Sequence, residues 1–290
     1  MSPVQLPPVN GGVAPAAEVQ AFLQSSGMTI QQLMLALVAE AEKCARPPIS
    51  NFLVGAVAQG SSGSLYFGAN YEFVGQALSF TVHGEQAATV NAISHGETGM
   101  TLLAVSAAPC GYCRQFLYEL TTAKTLQILL PNTPPTLLTD LIPDAFGPGD
   151  LGVTAGLMSP QSHGMTVTAA AGDPVVEAAL AAANSSYAPY TSTYAGVALK
   201  TRDGAIYTGS LAENAAFNPS MSPLEAAVVS LVISGGKAYT DIVDAVLVEA
   251  AGAKASQAAA TRAVLGAITT IKLRAFEAHT PHKKEEKRHA

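Results

Sequence analysis

Apolar residues recur at helical spacing near the start of the chain and in short runs typical of strands further along. Between residues 30 and 43, apolar side chains return every three or four positions, at Ile30, Leu33, Leu37 and Ala41. This spacing puts them on one face of an α-helix. The prolines at positions 47 and 48 are expected to end that helix, because the residue before a proline disfavours helical backbone angles.

The pattern that follows alternates between strands and helices. Residues 52–58 and 65–69 are predicted to be two strands joined by a Ser-Ser-Gly-Ser turn. The remaining elements of this half are predicted in the order helix, strand, helix, strand, at residues 85–95, 102–107, 114–120 and 126–130. Strands and helices in this order predict an α/β fold in which helices cover a mixed sheet.

The chain repeats this pattern at a shift of 141 residues. Prolines, glycines and one glutamate recur at this offset: Pro48 and Pro189, Gly55 and Gly196, Gly63 and Gly204, Gly68 and Gly209, Glu72 and Glu213. We attribute the matching glycines and prolines to shared turns, since these residues fix turn geometry. The chain is therefore predicted to contain two tandem three-layer domains of the same architecture.

The predicted domain boundaries follow from the repeat and from local composition. A lead-in rich in proline and glycine, expected to be loosely ordered, covers residues 1–28, and the first domain covers residues 29–130. Residues 131–172, rich in Pro, Gly and Asp, form the connection, and residues 173–278 form the second domain. Residues 279–290 form a charged tail that we expect to be a solvated terminus.

Composition narrows the class of protein. The 290-residue chain is 49% apolar and 12% charged, which supports folded domains with substantial cores. Its net charge of −6 argues against a long nucleic-acid-binding surface, which is normally basic, and favours a small neutral substrate. Three cysteines are too few for a disulfide framework, and no apolar run is long enough to cross a membrane. We therefore expect a cytosolic protein with neither nucleic acid nor a membrane as partner.

Two short motifs carry the candidate chemistry. His83 and Glu85 form a His-x-Glu motif, and a Pro-Cys-x-x-Cys motif containing Cys110 and Cys113 begins 24 residues after Glu85. One imidazole and two thiols supply the three protein ligands of a catalytic zinc site that keeps its fourth position for water. Glu85 is the proton carrier that such a site needs. The joint pattern is typical of zinc-dependent nucleobase deaminases.

Local structure is expected to activate the thiols. Pro109 suits a helix entrance, which places Cys110 and Cys113 on the first turn of one helix. The positive end of that helix lowers thiol pKa values and favours thiolates. If His83 also begins a helix, two helix N-termini face one metal. Arg114, directly after the second cysteine, is a candidate hydrogen-bond donor to a thiolate sulfur.

Other interpretations of the cysteines remain open at this point. A lone Cys-x-x-Cys also occurs as a redox pair or as half of a structural zinc site. The chain has no further cysteine pair, which excludes a closed four-thiolate site, and Cys44 is more typical of a small core residue. The second half lacks the ligands, because Ala251 and Lys254 stand at the cysteine positions and Ser222 stands near the histidine position. We interpret that half as a degenerate domain kept for fold and assembly.

These motifs and several flanking stretches resemble the cytidine deaminase family, specifically its two-domain homodimeric branch found in enteric bacteria and plants. The resemblance covers about residues 30–275, and a degenerate second domain is itself a trait of that branch. It rests on these stretches: Ser50-Asn51-Phe52, Gly68-Ala69-Asn70-Tyr71-Glu72-Phe73, His83-Gly84-Glu85-Gln86, Ala108-Pro109-Cys110-Gly111-Tyr112-Cys113-Arg114-Gln115-Phe116 and Glu213-Asn214-Ala215-Ala216-Phe217-Asn218-Pro219.

The resemblance implies a metal, a proton carrier and a partner. It implies three ligands for one zinc ion per chain: His83, Cys110 and Cys113. Glu85 would be the proton shuttle. A homodimer is implied, in which Ala216 and Phe217 of one chain complete the site of the other.

Contacts with a nucleoside are implied in the same way. Phe52 would pack against the pyrimidine ring, while Asn70 and Glu72 would hydrogen-bond the ribose 3′-hydroxyl. Backbone groups at Gly84 and Ala108 would bind the base. The family commonly has alanine where this chain has Gly84, and we expect this departure to alter the precision of binding more than the reaction type.

The expected function is hydrolytic deamination of cytidine and 2′-deoxycytidine. Two alternatives remain at this point. A deaminase acting on cytosine in a polynucleotide would need a basic groove, which the sequence does not show. A catalytically silent zinc-binding assembly protein would keep the three ligands but would have no use for Glu85.

Overall fold

The structure of the protein, a computed structural model, describes residues 6–168 and 171–280. In the first half the helices and strands follow in this order: β1 (Val13–Ala14), α1 (Ala16–Ser26), α2 (Ile30–Glu42), β2 (Gly55–Gly60), β3 (Leu65–Ala69), α3 (Gly84–Ser94), β4 (Met100–Val105), α4 (Gly111–Leu117), β5 (Gln127–Leu129), β6 (Thr136–Leu137) and α5 (Leu138–Leu141). In the second half they are α6 (Pro174–Asn184), β7 (Ala195–Thr201), β8 (Ile206–Ser210), α7 (Pro223–Val229), β9 (Ile242–Ala250), α8 (Ala258–Ile268) and β10 (Arg274–Ala278).

Each half contains one mixed sheet. The strand order is β1-β3-β2-β4-β5-β6 in the first sheet and β10-β9-β7-β8 in the second. β4 and β5 run parallel, as do β9 and β10, whereas β2 and β7 are antiparallel to both of their neighbours. The order β3-β2-β4-β5 thus recurs as β8-β7-β9-β10. This confirms the predicted α/β fold with two tandem domains.

Glycines that repeat at the shift of 141 let helices lie close to the sheets. A Cβ atom on Gly68 would lie 2.2 Å from the backbone of α3, and one on Gly209 would lie 2.1 Å from the backbone of α7. A Cβ atom on Gly55 would lie 2.4 Å from the backbone of α2, and one on Gly196 would lie 2.3 Å from the backbone of α6. The turn interpretation is therefore wrong for these four glycines. It holds for Gly63, whose φ of 88° suits a hairpin turn.

Local side chains define where helices begin. Thr29 caps α2, because its hydroxyl accepts from the N–H of Gln32 at 3.2 Å and the Gln32 side chain accepts from the N–H of Thr29 at 2.8 Å. Asp173 caps α6 by accepting from the N–H of Val175 at 2.9 Å. The helix predicted at residues 30–43 is accordingly confirmed as α2, one residue shorter at its end.

The N-terminal lead-in contains more structure than expected. β1 pairs antiparallel with β3, with Val13 opposite Tyr66, and α1 follows directly. Asn91 of α3 donates from its side chain to the carbonyl of Gly12 at 3.0 Å. The expectation of loose order is therefore wrong for residues 10–26, because β1 is stabilised by partners more than 50 residues away along the chain.

The connection between the halves is packed against them. β6 pairs with β5, and Leu138 and Leu157 are buried in the core. The division at residues 131 and 172 remains a prediction. Of the predicted charged tail, residues 281–290 lie outside the described residues. Within residues 6–168 and 171–280, no helix is long and apolar enough to cross a membrane.

One of the two buried apolar clusters among the described residues extends through both halves. A continuous cluster of buried apolar side chains includes Leu37 and Leu103 of the first half together with Leu224 and Val228 of the second. α3 is buried over most of its length and contacts β2, β3 and α7. Residues at the start of α3 are therefore held by contacts from both halves.

Candidate metal centre and active site

His83 and Cys110 stand at the starts of two helices that contact each other. Each immediately precedes its helix, α3 and α4 respectively, and Cys113 lies within the first turn of α4. The Nδ1 atom of His83 lies 3.6 Å from Sγ of Cys110 and 3.2 Å from Sγ of Cys113. The three possible ligand atoms all lie within 4.8 Å of one another. Two helix N-termini therefore meet at one group of ligands, as the sequence predicts.

The spacing and chemistry of these atoms suit zinc. Tetrahedral zinc, with Zn–S bonds of about 2.3 Å and Zn–N bonds of about 2.0–2.1 Å, separates neighbouring ligand atoms by about 3.5–3.8 Å. The observed separations of 3.2 and 3.6 Å are close to this range. Among the described residues, no fourth His, Cys, Asp or Glu joins the group. Three protein ligands are the number typical of a catalytic site rather than of a closed structural site.

The protonation of the two thiols is linked. A hydrogen bond in which the Cys113 thiol is the donor lowers the pKa of Cys110 to about 5. The same hydrogen bond, together with burial, raises the pKa of Cys113 well above its usual value. Zinc binds both residues as thiolates, so metal binding releases the Cys113 proton.

Glu85 lies beside the ligands without being one of them. It is the second residue of α3, and only 4% of its surface is exposed. Burial raises the pKa of its carboxyl, although the neighbouring imidazole of His83 and thiol of Cys113 act in the opposite direction. A raised pKa makes a carboxylate a better proton acceptor, and general acid–base catalysis requires a group that accepts a proton and later donates it.

Arg114 has different partners from those expected. Its guanidinium donates through Nε to the carbonyl of Pro109 at 2.8 Å and through Nη1 to the carbonyl of Leu141 at 2.7 Å. Within the described part of the chain it makes no hydrogen bond to a thiol sulfur, so the expected bond to a thiolate is wrong. Arg114 instead fixes the residue before Cys110 and joins α4 to α5.

Asn70 shapes the segment that leads into β2. Its side chain accepts from the N–H of Val54 at 3.0 Å and donates to the carbonyl of Phe52 at 2.8 Å. The ring of Phe52 is 60% exposed, so one face of it is open to a ligand. The predicted contacts of Phe52 with a pyrimidine and of Asn70 with a ribose remain predictions.

Glu72 holds the same segment nearer its start. Its carboxylate accepts from the N–H groups of Ile49 and Ser50, each at 2.8 Å, and from the Ser50 hydroxyl at 2.5 Å. Burial opposes the charge, but these hydrogen bonds together hold the pKa of Glu72 below its usual value. Glu213 holds residues 190–191 of the second half in the same way. The ribose contact of Glu72 remains a prediction.

Gly84 and Ala108 flank the ligands in different environments. Gly84 is the buried first residue of α3, and a Cβ atom there would lie 3.0 Å from Cγ1 of Val54. This contact places the segment that carries Phe52 next to the start of α3. Ala108 is exposed and directly precedes Pro109. The contacts of Gly84 and Ala108 with a base remain predictions.

The second half keeps the helix start but not the ligands. α7 begins after Ser222 instead of a histidine, and Leu224 occupies the position of Glu85. Glu225 takes the place of Gln86, since each side chain accepts from the N–H of the residue before its helix, at 2.9 and 3.2 Å respectively. Burial raises the pKa of Glu225 to about 7. In the part of the second half that the structure describes, no group of potential metal ligands replaces the one in the first half.

Comparisons with known proteins agree with this geometry. Residues 28–129 and residues 138–262 each match a family described as the cytidine and deoxycytidylate deaminase zinc-binding region. A cytidine deaminase of Photobacterium profundum is 48% identical over 247 residues, which cover 85% of this chain and 83% of that protein. The chain belongs to the cytidine and deoxycytidylate deaminase family.

Two further cytidine deaminases are similar to most or part of the chain. A cytidine deaminase of Yersinia pseudotuberculosis is 47% identical over 87% of this chain and 85% of its own length. A solved cytidine deaminase from Mycobacterium tuberculosis is 32% identical, with a TM-score of 0.38, over 41% of this chain and 99% of that one. The metal of the site is zinc, and three residues are placed to bind it: His83, Cys110 and Cys113.

Ala216 and Phe217 lie in a segment that we call the 214–220 loop. Phe217 has a φ of 60°, which is unusual for a residue with a large side chain, and its ring is 58% exposed. The predicted contribution of Ala216 and Phe217 to the site of a partner chain remains a prediction.

No sequence pattern indicates that this loop contacts the zinc-binding helices of the same chain. The Tyr112 hydroxyl donates to the carbonyl of Asn218, and the Gln86 side chain donates to the carbonyl of Pro219 at 3.3 Å. Glu119, just beyond the end of α4, also bonds to the loop. The carbonyls of Asn218 and Pro219 belong to the backbone, so the residue types in the loop do not predict these bonds.

Proposed function

We propose that the protein is a zinc-dependent deaminase of cytidine and 2′-deoxycytidine. Water replaces the 4-amino group of the cytosine ring, which yields uridine or deoxyuridine and ammonia, a reaction of pyrimidine salvage. The observation that carries this proposal is the buried carboxyl of Glu85 beside the group formed by His83, Cys110 and Cys113. A purely structural zinc site has no need of a buried acid at this position.

The chain's own residues account for the proton transfers. Zinc held by the three ligands supplies Lewis acidity, which makes water a nucleophile near neutral pH. The carboxylate of Glu85 accepts a proton from the attacking water and donates it to the ring nitrogen N3. Glu85 then passes the second proton to the 4-amino group, so that ammonia leaves and a carbonyl forms at C4. The raised pKa of Glu85 suits both directions of transfer.

The substrate-binding residues are proposed from the same geometry. Phe52 supplies an exposed aromatic face on the segment next to α3. Asn70 and Glu72 hold that segment and are proposed to contact the ribose 3′-hydroxyl. The backbone groups of Gly84 and Ala108, on either side of the zinc ligands, are proposed to bind the base.

A second copy of the chain is the proposed partner. Large apolar side chains are exposed in and near the segment that carries Phe52, and also in the 214–220 loop: Ile49, Phe52, Leu53, Val74, Leu78 and Phe217. Exposed apolar clusters of this kind are typical of interaction surfaces. In the proposed homodimer, Ala216 and Phe217 of one chain complete the site of the other. The free thiols of all three cysteines fit the reducing cytosol, where we propose that the protein acts.

The proposed reaction is tested with wild type and Glu85→Ala. The conversion of cytidine is followed by its ultraviolet absorbance, and zinc is measured in both proteins. We expect equal zinc and a loss of activity in the variant of at least about 10³-fold, because acid–base catalysis and the polarity of the site are both removed. A variant that stayed fast would exclude Glu85 as the shuttle, and an inactive wild type with bound zinc would favour the silent assembly protein.

The proposed partner contact is tested by mixing two variants of reduced activity. Glu85→Ala and Phe217→Ala are each expected to lower activity, and refolding them together creates dimers in which one site has neither substitution. Activity that reappears in the mixture supports a role for Phe217 in the partner's site. Activity equal to the average of the two separate variants would place Phe217 outside it. A gel-shift with single-stranded DNA in low salt tests the polynucleotide alternative.

A further inference from the structure

The 214–220 loop belongs to the second half but is bonded to both zinc-binding helices of its own chain. Tyr112, which lies between the two cysteine ligands, donates its hydroxyl to the carbonyl of Asn218. Gln86, which follows the proton-carrying glutamate, donates to the carbonyl of Pro219 at 3.3 Å. The loop therefore contacts the first turn of α3 and the first turn of α4.

A second group of bonds joins the loop to the remainder of α4. The side chain of Asn214 donates to the carbonyl of Gln115 at 2.9 Å. Beyond the end of α4, the carboxylate of Glu119 accepts from the N–H of Ala215 at 2.9 Å. The loop is thus fixed along the length of the helix that carries Cys113.

Glu119 is the most deeply buried of these residues. Its side chain is fully buried, and one oxygen accepts from the hydroxyls of Tyr187 at 2.7 Å and Tyr190 at 2.5 Å. Among the ion pairs of the described residues, none includes Glu119. A buried carboxylate without a cation depends on its hydrogen-bond donors, so these donors from the second half are fixed in place.

The loop itself has little freedom. Phe217 has left-handed backbone angles, and its N–H donates to the carbonyl of Asn214 at 2.9 Å. Within the same loop the N–H of Asn214 donates to the hydroxyl of Ser220 at 2.9 Å. Backbone angles of this kind persist only when surrounding contacts enforce them. The loop therefore acts as a rigid body against the two helices.

Tyr112 links this rigid loop to the ligands. Its ring stacks against the imidazole of His83, with centroids 5.8 Å apart and an angle of 29° between the planes. The ring contact with His83 and the hydroxyl contact with Asn218 belong to one side chain.

We propose that the 214–220 loop positions the zinc ligands of its own chain, with Tyr112 and Glu119 as the positioning residues. The degenerate half then contributes to the metal centre within one chain. This role differs from the contact proposed between chains, which uses the exposed ring of Phe217 instead of the loop backbone. It rests on the zinc site and not on the identity of the substrate.

The test compares Tyr112→Phe with the matched control Tyr118→Phe. Tyr118 lies directly after α4, and its hydroxyl makes no hydrogen bond among the described residues. Two measurements are made: the rate of zinc release to a chelator, and the absorption spectrum of the Co²⁺-substituted protein, which reports ligand geometry. We expect Tyr112→Phe to release zinc about 10-fold faster and to shift the Co²⁺ spectrum, because bonds that orient metal ligands typically affect affinity by about this factor. The control should match wild type in both.

Glu119→Gln provides a second, independent variant. The amide keeps the size of the side chain but turns one acceptor into a donor, so either the tyrosine hydroxyls or the N–H of Ala215 lose their partner. We expect the same direction of change in zinc release and in the Co²⁺ spectrum. A purely structural role would lower the thermal unfolding temperature and leave the Co²⁺ spectrum unchanged.

Tyr112→Phe decides the proposal by itself, because it removes a single hydroxyl and leaves the core intact. Zinc release and a Co²⁺ spectrum equal to those of wild type and Tyr118→Phe would overturn the proposal. Both measurements use protein and metal alone. A negative result is therefore distinguishable from a failure of the proposed deaminase activity.

Discussion

Helices α3 and α7 start in the same way, and only one of them starts at a metal ligand. Each lies over a strand glycine, Gly68 or Gly209, and each uses a side chain in its first turn to cap its own start, Gln86 or Glu225. The second helical position holds a glutamate, Glu85, in one helix and a leucine in the other. The close helix–sheet contact and the cap are thus required by the fold in either half. The second half folds without the ligands or the buried acid, which agrees with the proposal that these residues serve the reaction.

The largest difference in zinc content and activity is expected between a substitution of the cysteine ligand Cys113 and a substitution of its counterpart in the second half, Lys254. Cys113→Ala removes a buried ligand, so zinc content should fall close to zero and deamination by at least about 10³-fold. Lys254→Ala, the matched change in the second half, removes an exposed side chain and should alter stability by less than about 0.5 kcal/mol. Zinc analysis and cytidine turnover check both. Retention of zinc by Cys113→Ala would show that another residue can replace it.

The shared glycine contact predicts similar losses of stability in both halves. Gly68→Ala and Gly209→Ala each place a methyl group about 2 Å from helix backbone. Each should lower the free energy of unfolding by about 4 kcal/mol, more than usual for overpacking because the obstructing atoms belong to the backbone. Denaturant unfolding measures this. Gly68→Ala should additionally speed zinc release, since it displaces α3. Equal rates of zinc release in the two variants would contradict the view that α3, unlike α7, holds the metal.

The two capping side chains differ in their response to pH. Glu225 has an ordinary pKa of 4.5 in the unfolded chain and about 7 in the fold, where burial disfavours its charge. Between these values the folded protein holds a proton that the unfolded chain has lost, so the stability contributed by protonated Glu225 disappears as pH rises to about 7. The free energy of unfolding of Glu225→Gln should equal that of wild type near pH 4.5 and should be about 3 kcal/mol higher than that of wild type at pH 8.

Unfolding in denaturant across this pH range measures the effect of Glu225. The mirror variant, Gln86→Glu, places a carboxyl at the equivalent buried position of the first half and should introduce the same loss of stability with rising pH. If the difference in unfolding free energy between Glu225→Gln and wild type did not change from pH 4.5 to 8, the raised pKa of Glu225 would be contradicted.

The smallest effect is expected at Gly84, where the family commonly has alanine. Gly84→Ala gains helix propensity of up to about 1 kcal/mol, but its methyl group meets Val54 at 3.0 Å. The two effects nearly cancel, so stability should change by less than about 1 kcal/mol. Because Val54 adjoins the segment that carries Phe52, KM should change more than kcat. Steady-state kinetics with cytidine checks this, and a large fall in kcat with unchanged KM would contradict it.

The sequence carries enough local information to predict the metal centre. His83, Cys110 and Cys113 stand next to helix starts that proline and capping residues define within a few positions. The repeat at 141 residues likewise predicts the second sheet, because matching strands and glycines recur in order. These features depend on residues close together in the chain or on a comparison of the chain with itself.

Other features depend on distant partners and could not be predicted. β1 consists of two residues that are stable only against β3, and Arg114 binds the carbonyl of Leu141, which no local pattern marks. The bonds from Tyr112 and Glu119 to the 214–220 loop join positions about 100 residues apart. These bonds depend on how the two halves pack together. In each of them one partner is a backbone group, which any residue could supply.

The core that runs through both halves makes the whole molecule one cooperative unit. Leu37 and Leu224 belong to the same buried cluster although the first lies in α2 and the second in α7. Separate melting of the halves would expose that cluster to water, so heat should unfold them in a single transition. A destabilising substitution in the half without zinc ligands therefore lowers the amount of folded enzyme in a cell as one beside the metal does, because both shift the same unfolding equilibrium.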